Sequence, residues 1–284
     1  MQITFATCWY PLSCKFPVDT YLNWMSHFLS EINNFYLVLY TDEAGEAQIR
    51  NYFAHAATLA PATLAPATLA NPNLKIIQKH CEEWYNYKHK AQWEKNHKKN
   101  TLLNTRTEWK VNMLWAEKVH FVNDARQNPY FPLTQFYGWC DIGYFRSGPC
   151  PNFAGPSLLQ SLNKNKIYYA AVNPLFFQEL QPYVLNKNEH GLPVVPIPAD
   201  QVSIAGGFFM AHHSKIESWK TIFANKLALY FQHDYLVKDD QIIIVDCILN
   251  EPKRFEIVCD PDTSPYRENP WFYFRRGVPP RTPP

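Results

Sequence analysis

The run Trp139-Cys140-Asp141-Ile142-Gly143-Tyr144-Phe145-Arg146 sets a single carboxylate at the exit of an apolar, aromatic stretch. An acid at the carboxyl end of a central strand lies where open α/β sheets take their ligands. Gly143 lets the backbone turn tightly or approach a ligand closely, a pointed choice in a chain with only 9 glycines. The same Asp141 would also serve as a cap for the following turn. A second stretch, Ser203-Ile-Ala-Gly206-Gly207-Phe-Phe-Met210, places two side-chain-free positions beside aromatics. It reads as a flat surface open to a ring, or as a β-bulge. A third, Lys238-Asp239-Asp240-Gln241, precedes the apolar Ile244, Val245, Ile248 and Leu249. Its two acids suit the N-cap and first turn of a helix, whose dipole favours their ionised form.

These residues need a frame. Residues 2–8 read as a strand, 19–32 as an amphipathic helix capped by Asp19, and 35–40 as a buried strand. Strand, helix, strand at the start of the chain predicts a βαβ unit and hence a parallel sheet. Further strands are expected at 75–78, 136–141, 166–172, 201–209 and 255–259. Helices are expected over 105–125, 215–233 and from Asp239 to Asn250. The first of these carries one stripe made of Val111, Leu114, Trp115, the Lys118 stem, Val119 and Val122. Residues 56–70 repeat Ala-Pro-Ala-Thr-Leu with a five-residue period, too short for a stacking unit and interrupted by Pro61 and Pro66. They read as an exposed insert in a domain spanning 1–260. A Pro- and aromatic-rich tail, 261–284, is expected to wrap the surface.

Composition narrows the class. The 284 residues are 46% hydrophobic and 16% aromatic, with 23 prolines and a formal net charge of +2. That composition supports one large core and excludes a disordered chain, a coiled coil and a polyelectrolyte. No apolar run approaches the ~18–20 residues of a membrane span, and the N-terminus lacks a signal-peptide pattern. The 7 cysteines are odd in number, scattered and without a C-x-x-C pair, which fits a reducing compartment and no zinc site. A soluble cytoplasmic protein is expected.

In order and spacing, these blocks resemble the nucleotide-sugar glycosyltransferases of the GT-A fold. The HtrL-like group of bacterial surface-glycan proteins is the nearest pattern, over roughly residues 2–258. The shared blocks are the first strand with its following aromatics, an F-x-W-x-D-x-G-like run at Asp141, the Gly206-Gly207 stretch and the late acid pair. The Ala-Pro-Ala-Thr-Leu insert also resembles runs in proteins of giant algal viruses, which encode glycosyltransferases for their capsid glycans and act in the host cytoplasm. The resemblance implies a GT-A-like mixed, mostly parallel sheet flanked by helices. It implies transfer of a sugar from a nucleoside-diphosphate donor, a UDP-sugar such as UDP-xylose, to an oligosaccharide or glycoprotein-glycan hydroxyl. It places Thr7, Trp9 and Tyr10 around base and ribose, Asp42 as a hydrogen-bond acceptor, and Gly206 and Gly207 against the donor. Arg106 and Lys110, four apart and so on one helical face, with Lys118 two turns further, would meet the diphosphate; the other reading is a solvated basic face. Trp9 and Tyr10 have core packing as their other reading. Asp141 would bind the ribose or hold Mn²⁺ or Mg²⁺ through its oxygens, and Asp240, or else Asp239, would be the general base of an inverting reaction. The family's usual Asp-x-Asp is here Asp141-Ile-Gly143, one carboxylate short. A literal Asp-x-Asp occurs at Asp260-Pro-Asp262.

Two other classes compete. Residues 75–110 hold nine Lys/Arg against four acids, interleaved with Trp84, Tyr85, Tyr87 and Trp93. That is the composition of a single-strand nucleic-acid groove, though the rest of the chain is not basic and carries no named nucleic-acid motif. A glycoside hydrolase would need two carboxylates about 5–9.5 Å apart, for which Asp141 and Asp240 are candidates.

Overall fold

The computed structural model describes residues 2–13, 15–59, 69–259 and 269–277. Seven strands form one sheet: β1 (Ile3–Trp9), β2 (Tyr36–Thr41), β3 (Leu74–Gln78), β4 (Phe136–Cys140), β5 (Ile167–Ala170), β6 (Phe208–His212) and β7 (Phe255–Val258). Their order is β3-β2-β1-β4-β6-β5-β7. Strand β6 runs against both neighbours, and every other pairing is parallel. The helices are α1 (Val18–Leu29), α2 (Glu43–Leu59), α3 (Lys90–Lys99), α4 (Trp109–Gln127), α5 (Pro156–Ser161), α6 (Pro174–Glu179), α7 (Gln181–Leu185), α8 (His213–Gln232) and α9 (Asp240–Asn250). The domain is thus α/β, a mixed and mostly parallel sheet flanked by helices, as the sequence predicts.

Successive strand residues point to opposite faces, so the central strands feed two cores. Ile3, Phe5, Phe136, Cys140, Phe208 and Met210 pack with Leu22, Met25, Phe28 and Leu29 of α1. Ala6, Tyr137, Trp139, Phe209 and Ala211 pack with Val119 and Val122 of α4, Trp219 of α8 and Ile244 of α9. Both faces are covered, which is why these strands read as near-continuous apolar runs.

Several boundaries differ from the sequence reading. Pro17, not Asp19, occupies the N-cap of α1, and Asp19 falls in the first turn, where the helix dipole still favours an acid. Helix α4 starts at Trp109 rather than 105, with Glu108 in extended conformation before it. Strand β6 begins after Gly206-Gly207, and Ile204 makes only an isolated bridge to Ala171. Helix α2 runs through Leu59, into the stretch read as low complexity; the rest of that insert, 60–68, lies outside the described residues, as do Asp260 and Asp262. Part of the expected tail belongs to the domain. Pro270–Arg276 forms a 3₁₀ segment whose Tyr273 and Phe274 are buried in the α1-side core. Phe274 N donates to Tyr144 Oη at 3.1 Å, and Arg275 Nη2 donates to Gly148 O at 3.1 Å. No helix among the described residues is long and apolar enough to cross a membrane.

Candidate active site

Strands β1 and β4 are parallel neighbours, so their carboxyl ends open at one sheet edge. Because β6 is antiparallel to β4, the glycine pair before β6 arrives at that same edge, with Cys140 opposite Phe208. A cleft of about 470 Å³ lies there. Its walls include Trp9, Tyr10, Lys118, Asp141, Gly206, Gly207, Asp239 and Asp240, with Trp271 and Phe272 from the C-terminal segment.

At the floor, Lys118 joins the separate sequence blocks. Only 7% exposed, it reaches from α4 to place Nζ 3.2 Å from Asp141 Oδ1 and 3.2 Å from Asp240 Oδ2. Its ammonium also donates to Gly206 O at 2.9 Å. Burial alone would drive a lysine towards its neutral form, but Asp141 and Asp240 reverse this and hold its pKa above the ordinary value. Trp139 Nε1 donates to Asp141 Oδ1 at 2.5 Å, and Asp141 N donates to Gly207 O at 2.8 Å.

The glycines are explained by the carboxylates. A Cβ at Gly206 would stand 3.1 Å from both Asp240 oxygens, and one at Gly207 would stand 2.9 Å from Asp141 Oδ2. Side chains here would push the acids off their positions.

The acid pair divides its labour. Asp239 is the N-cap of α9: Oδ1 accepts from Gln241 N at 3.2 Å, and Oδ2 pairs with Lys238 Nζ at 2.7 Å. Asp240 faces Lys118 instead, and its Oδ2 is buried without a hydrogen bond. Burial pushes the Asp240 carboxyl up; Lys118 pulls it back, while Asp239 and Asp141 push it further, to about 7. This reverses the sequence expectation of a carboxylate kept acidic by a helix N-terminus. Desolvation and two neighbouring acids outweigh the dipole.

The other expected residues divide between the cleft wall and its surroundings. Trp9 and Tyr10 line the cleft but are each only 4% exposed. Trp9 Nε1 donates to Gln48 Oε1 at 3.1 Å, and Tyr10 Oη donates to Lys79 O at 2.8 Å, so the polar atoms of both rings are already engaged. Thr7 is fully buried in β1, its Oγ1 without a partner. Asp42 Oδ1 accepts from Gly45 N at 2.7 Å at the start of α2, away from the cleft. Arg106 lies in the exposed turn before α4, so it shares no helical face with Lys110, and neither lines the cleft. Phe208 and Phe209 are buried on opposite faces of the sheet. Lys118 was legible as a charge inside an apolar helical stripe, a placement that demands acidic partners.

Lys118 and the two acids carry a net negative charge when Asp240 is ionised. Among the described residues no three His, Cys, Asp or Glu side chains converge as a metal cage. Mg²⁺ and Mn²⁺ commonly take one or two carboxylates and complete their shell with substrate phosphates and water. Asp141, half-buried with Oδ2 free of ion pairs, fits that sparse donor role.

In the basic stretch 75–110 most Lys and Arg side chains are exposed, but the aromatic rings are largely covered. Trp84 and Trp93 are 2% and 1% exposed. Exposed Tyr85 is sandwiched between His120, 4.0 Å away, and Lys88, 3.6 Å away. Buried Glu117 pins the turn by accepting from Tyr85 N at 2.7 Å and Asn86 N at 3.0 Å. Rings already covered do not stack on bases. Between Asp141 and Asp240, Lys118 fills the space a glycosidic bond would need in a hydrolase.

A family described as "Bacterial protein of unknown function (HtrL_YibB)" matches residues 10–274, and the chain belongs to it. No curated protein matches the chain.

Proposed function

We propose that this member of the HtrL_YibB family is a glycosyltransferase that uses a nucleoside-diphosphate sugar, a UDP-sugar first, and a glycan hydroxyl as acceptor. The observation that carries the reading is the convergence of Asp141, Lys118 and Asp240, from three distant blocks, in one cleft at the carboxyl ends of β1 and β4. Ligands of open α/β sheets bind at that edge, and about 470 Å³ is within the range of small-molecule sites. The sheet order, with β6 reversed, agrees with a GT-A-like fold.

In this reading the donor's nucleoside lies towards Trp9 and Tyr10, and its diphosphate towards Asp141. A divalent ion on Asp141, when bound, would neutralise the leaving diphosphate. Asp240 takes the proton from the acceptor hydroxyl as that oxygen attacks the anomeric carbon. The bond from that carbon to the phosphate oxygen breaks, and the nucleoside diphosphate leaves with the pair of electrons. A carboxyl poised near 7 is a better base than one near 4 at neutral pH. Lys118 is a positioning residue: it forms ion pairs with both acids and donates to the Gly206 carbonyl.

Thermal shift with UDP, GDP, CMP and their sugars, with and without Mn²⁺, tests the reading. A ligand at 100 times its dissociation constant stabilises by about 2.7 kcal/mol. UDP should raise the midpoint, and Asp141→Asn should diminish that rise in Mn²⁺. No shift by any nucleotide at millimolar concentration rejects the function.

A further inference from the structure

The mouth of the cleft holds a cation that the proposed chemistry does not use. The Arg146 guanidinium carbon lies 4.4 Å from the Trp24 ring centre, 5.1 Å from Phe16 and 5.4 Å from Phe272. Its Nε donates to Gly143 O at 3.1 Å. Among the described residues, its two terminal nitrogens make no hydrogen bond or ion pair. Gly143 permits this packing: a Cβ there would stand 2.9 Å from the Trp24 ring. The side chain is therefore oriented by three rings and one carbonyl, and the fork that pairs with carboxylate or phosphate is left open.

Beside it stands Trp271, next in chain to the Phe272 that packs on Arg146. Trp271 lines the same cleft. Among the described residues its indole makes no ring contact and its Nε1 no hydrogen bond. Trp271 is half-buried, packed in part against the α1-side core; the part of its indole that lines the cleft suits the apolar face of a pyranose, and the unpaired guanidinium nitrogens suit an acidic substituent on that ring.

We infer that Arg146 and Trp271 form a subsite for an acidic saccharide, a sugar carrying a carboxylate or a phosphate, in the acceptor position. The acceptor role rests on the glycosyl-transfer reading; the binding chemistry does not. Arginine is the reader of choice for such groups because two parallel N–H donors match two oxygens. A neutral sugar would leave the two terminal nitrogens without a charged partner.

Saturation-transfer NMR on the full chain tests this with glucuronic acid, glucose 6-phosphate and glucose, with UDP titrated separately. The acidic sugars should bind about ten- to a hundredfold more tightly than glucose, the worth of a charged hydrogen bond. Glucuronic acid against glucose 6-phosphate tells which acidic group the site prefers. Arg146→Met should erase the acidic preference while leaving the melting midpoint and UDP affinity unchanged. Trp271→Ala should weaken all three sugars. Equal binding of glucose and glucuronic acid, or no sugar signal at tens of millimolar, overturns the subsite. So does an Arg146→Met that loses UDP affinity and keeps the acidic preference, since the guanidinium would then serve the nucleotide diphosphate. Acidic-sugar binding without UDP binding would leave this subsite standing and sink the proposed donor.

Discussion

Asp240 and Lys118 can be judged by how each changes with pH. The folded Asp240 carboxyl titrates near 7 against an ordinary value of 3.8. A raised carboxyl stabilises the fold below its unfolded value, and that contribution is lost as pH rises through the folded one. Asp240→Asn, which mimics the neutral acid, should therefore melt higher than the parent at pH 8 and similarly at pH 4. Catalysis needs the opposite form. The acid limb of kcat/KM should lie near pH 7, and Asp240→Asn should lower the rate by about 10² to 10⁴. A limb near 4 would mean that another group is the base. Lys118→Met removes the one ammonium between two acids. It should cost about 3–5 kcal/mol, as breaking a buried pair does, and should move the acid limb to higher pH because Asp240 loses its counter-charge. An unmoved limb would separate Lys118 from Asp240.

At the scale of elements, the sequence made plain whatever depends on local pattern. The opening βαβ, the apolar stripe of α4 and the cap-and-acid start of α9 all follow from residue spacing. What it left unread depends on distant partners. Helix α3 inside 79–110 has a polar surface and is tied down by Asn96, whose side chain hydrogen-bonds both the amide and the carbonyl of Val237. Nothing near Asn96 in the sequence announces that partner. Arg106 falls outside α4, which starts only at Trp109 because Glu108 is extended. The helical pattern alone suggests Lys118 as a phosphate ligand, whereas in the fold it is paired with Asp141 and Asp240 and donates to Gly206 O. Two substitutions test these element-level roles. Asp239→Ala should cost about 1 kcal/mol as the loss of an N-cap, with a smaller effect on rate than Asp240→Asn. Gly207→Ala should do the reverse: its Cβ would meet Asp141 Oδ2 at 2.9 Å, so activity should fall while the fold persists. Full activity in Gly207→Ala would show that Asp141 has room to move.

For the molecule as a whole, the C-terminal 3₁₀ segment is the element that the two ends of the chain share. Phe274, 1% exposed, stacks on Phe208 at 4.6 Å, and Phe208 packs on Phe5 of β1 at 5.5 Å. Phe274→Ala should cost about 3–5 kcal/mol, measurable by urea unfolding; a loss below 1 kcal/mol would mean that the segment is only loosely seated. The same segment supplies Trp271 and Phe272 to the cleft that Trp9 and Tyr10 also line. A molecule held in that cleft would tie together stretches separated by more than 250 positions in the chain. Opening of the 269–277 segment is then an event that the ligand must forbid. Amide protons of Trp271 to Phe274 should exchange with deuterium through local opening in the free protein, and only through unfolding of the whole domain once the cleft is filled.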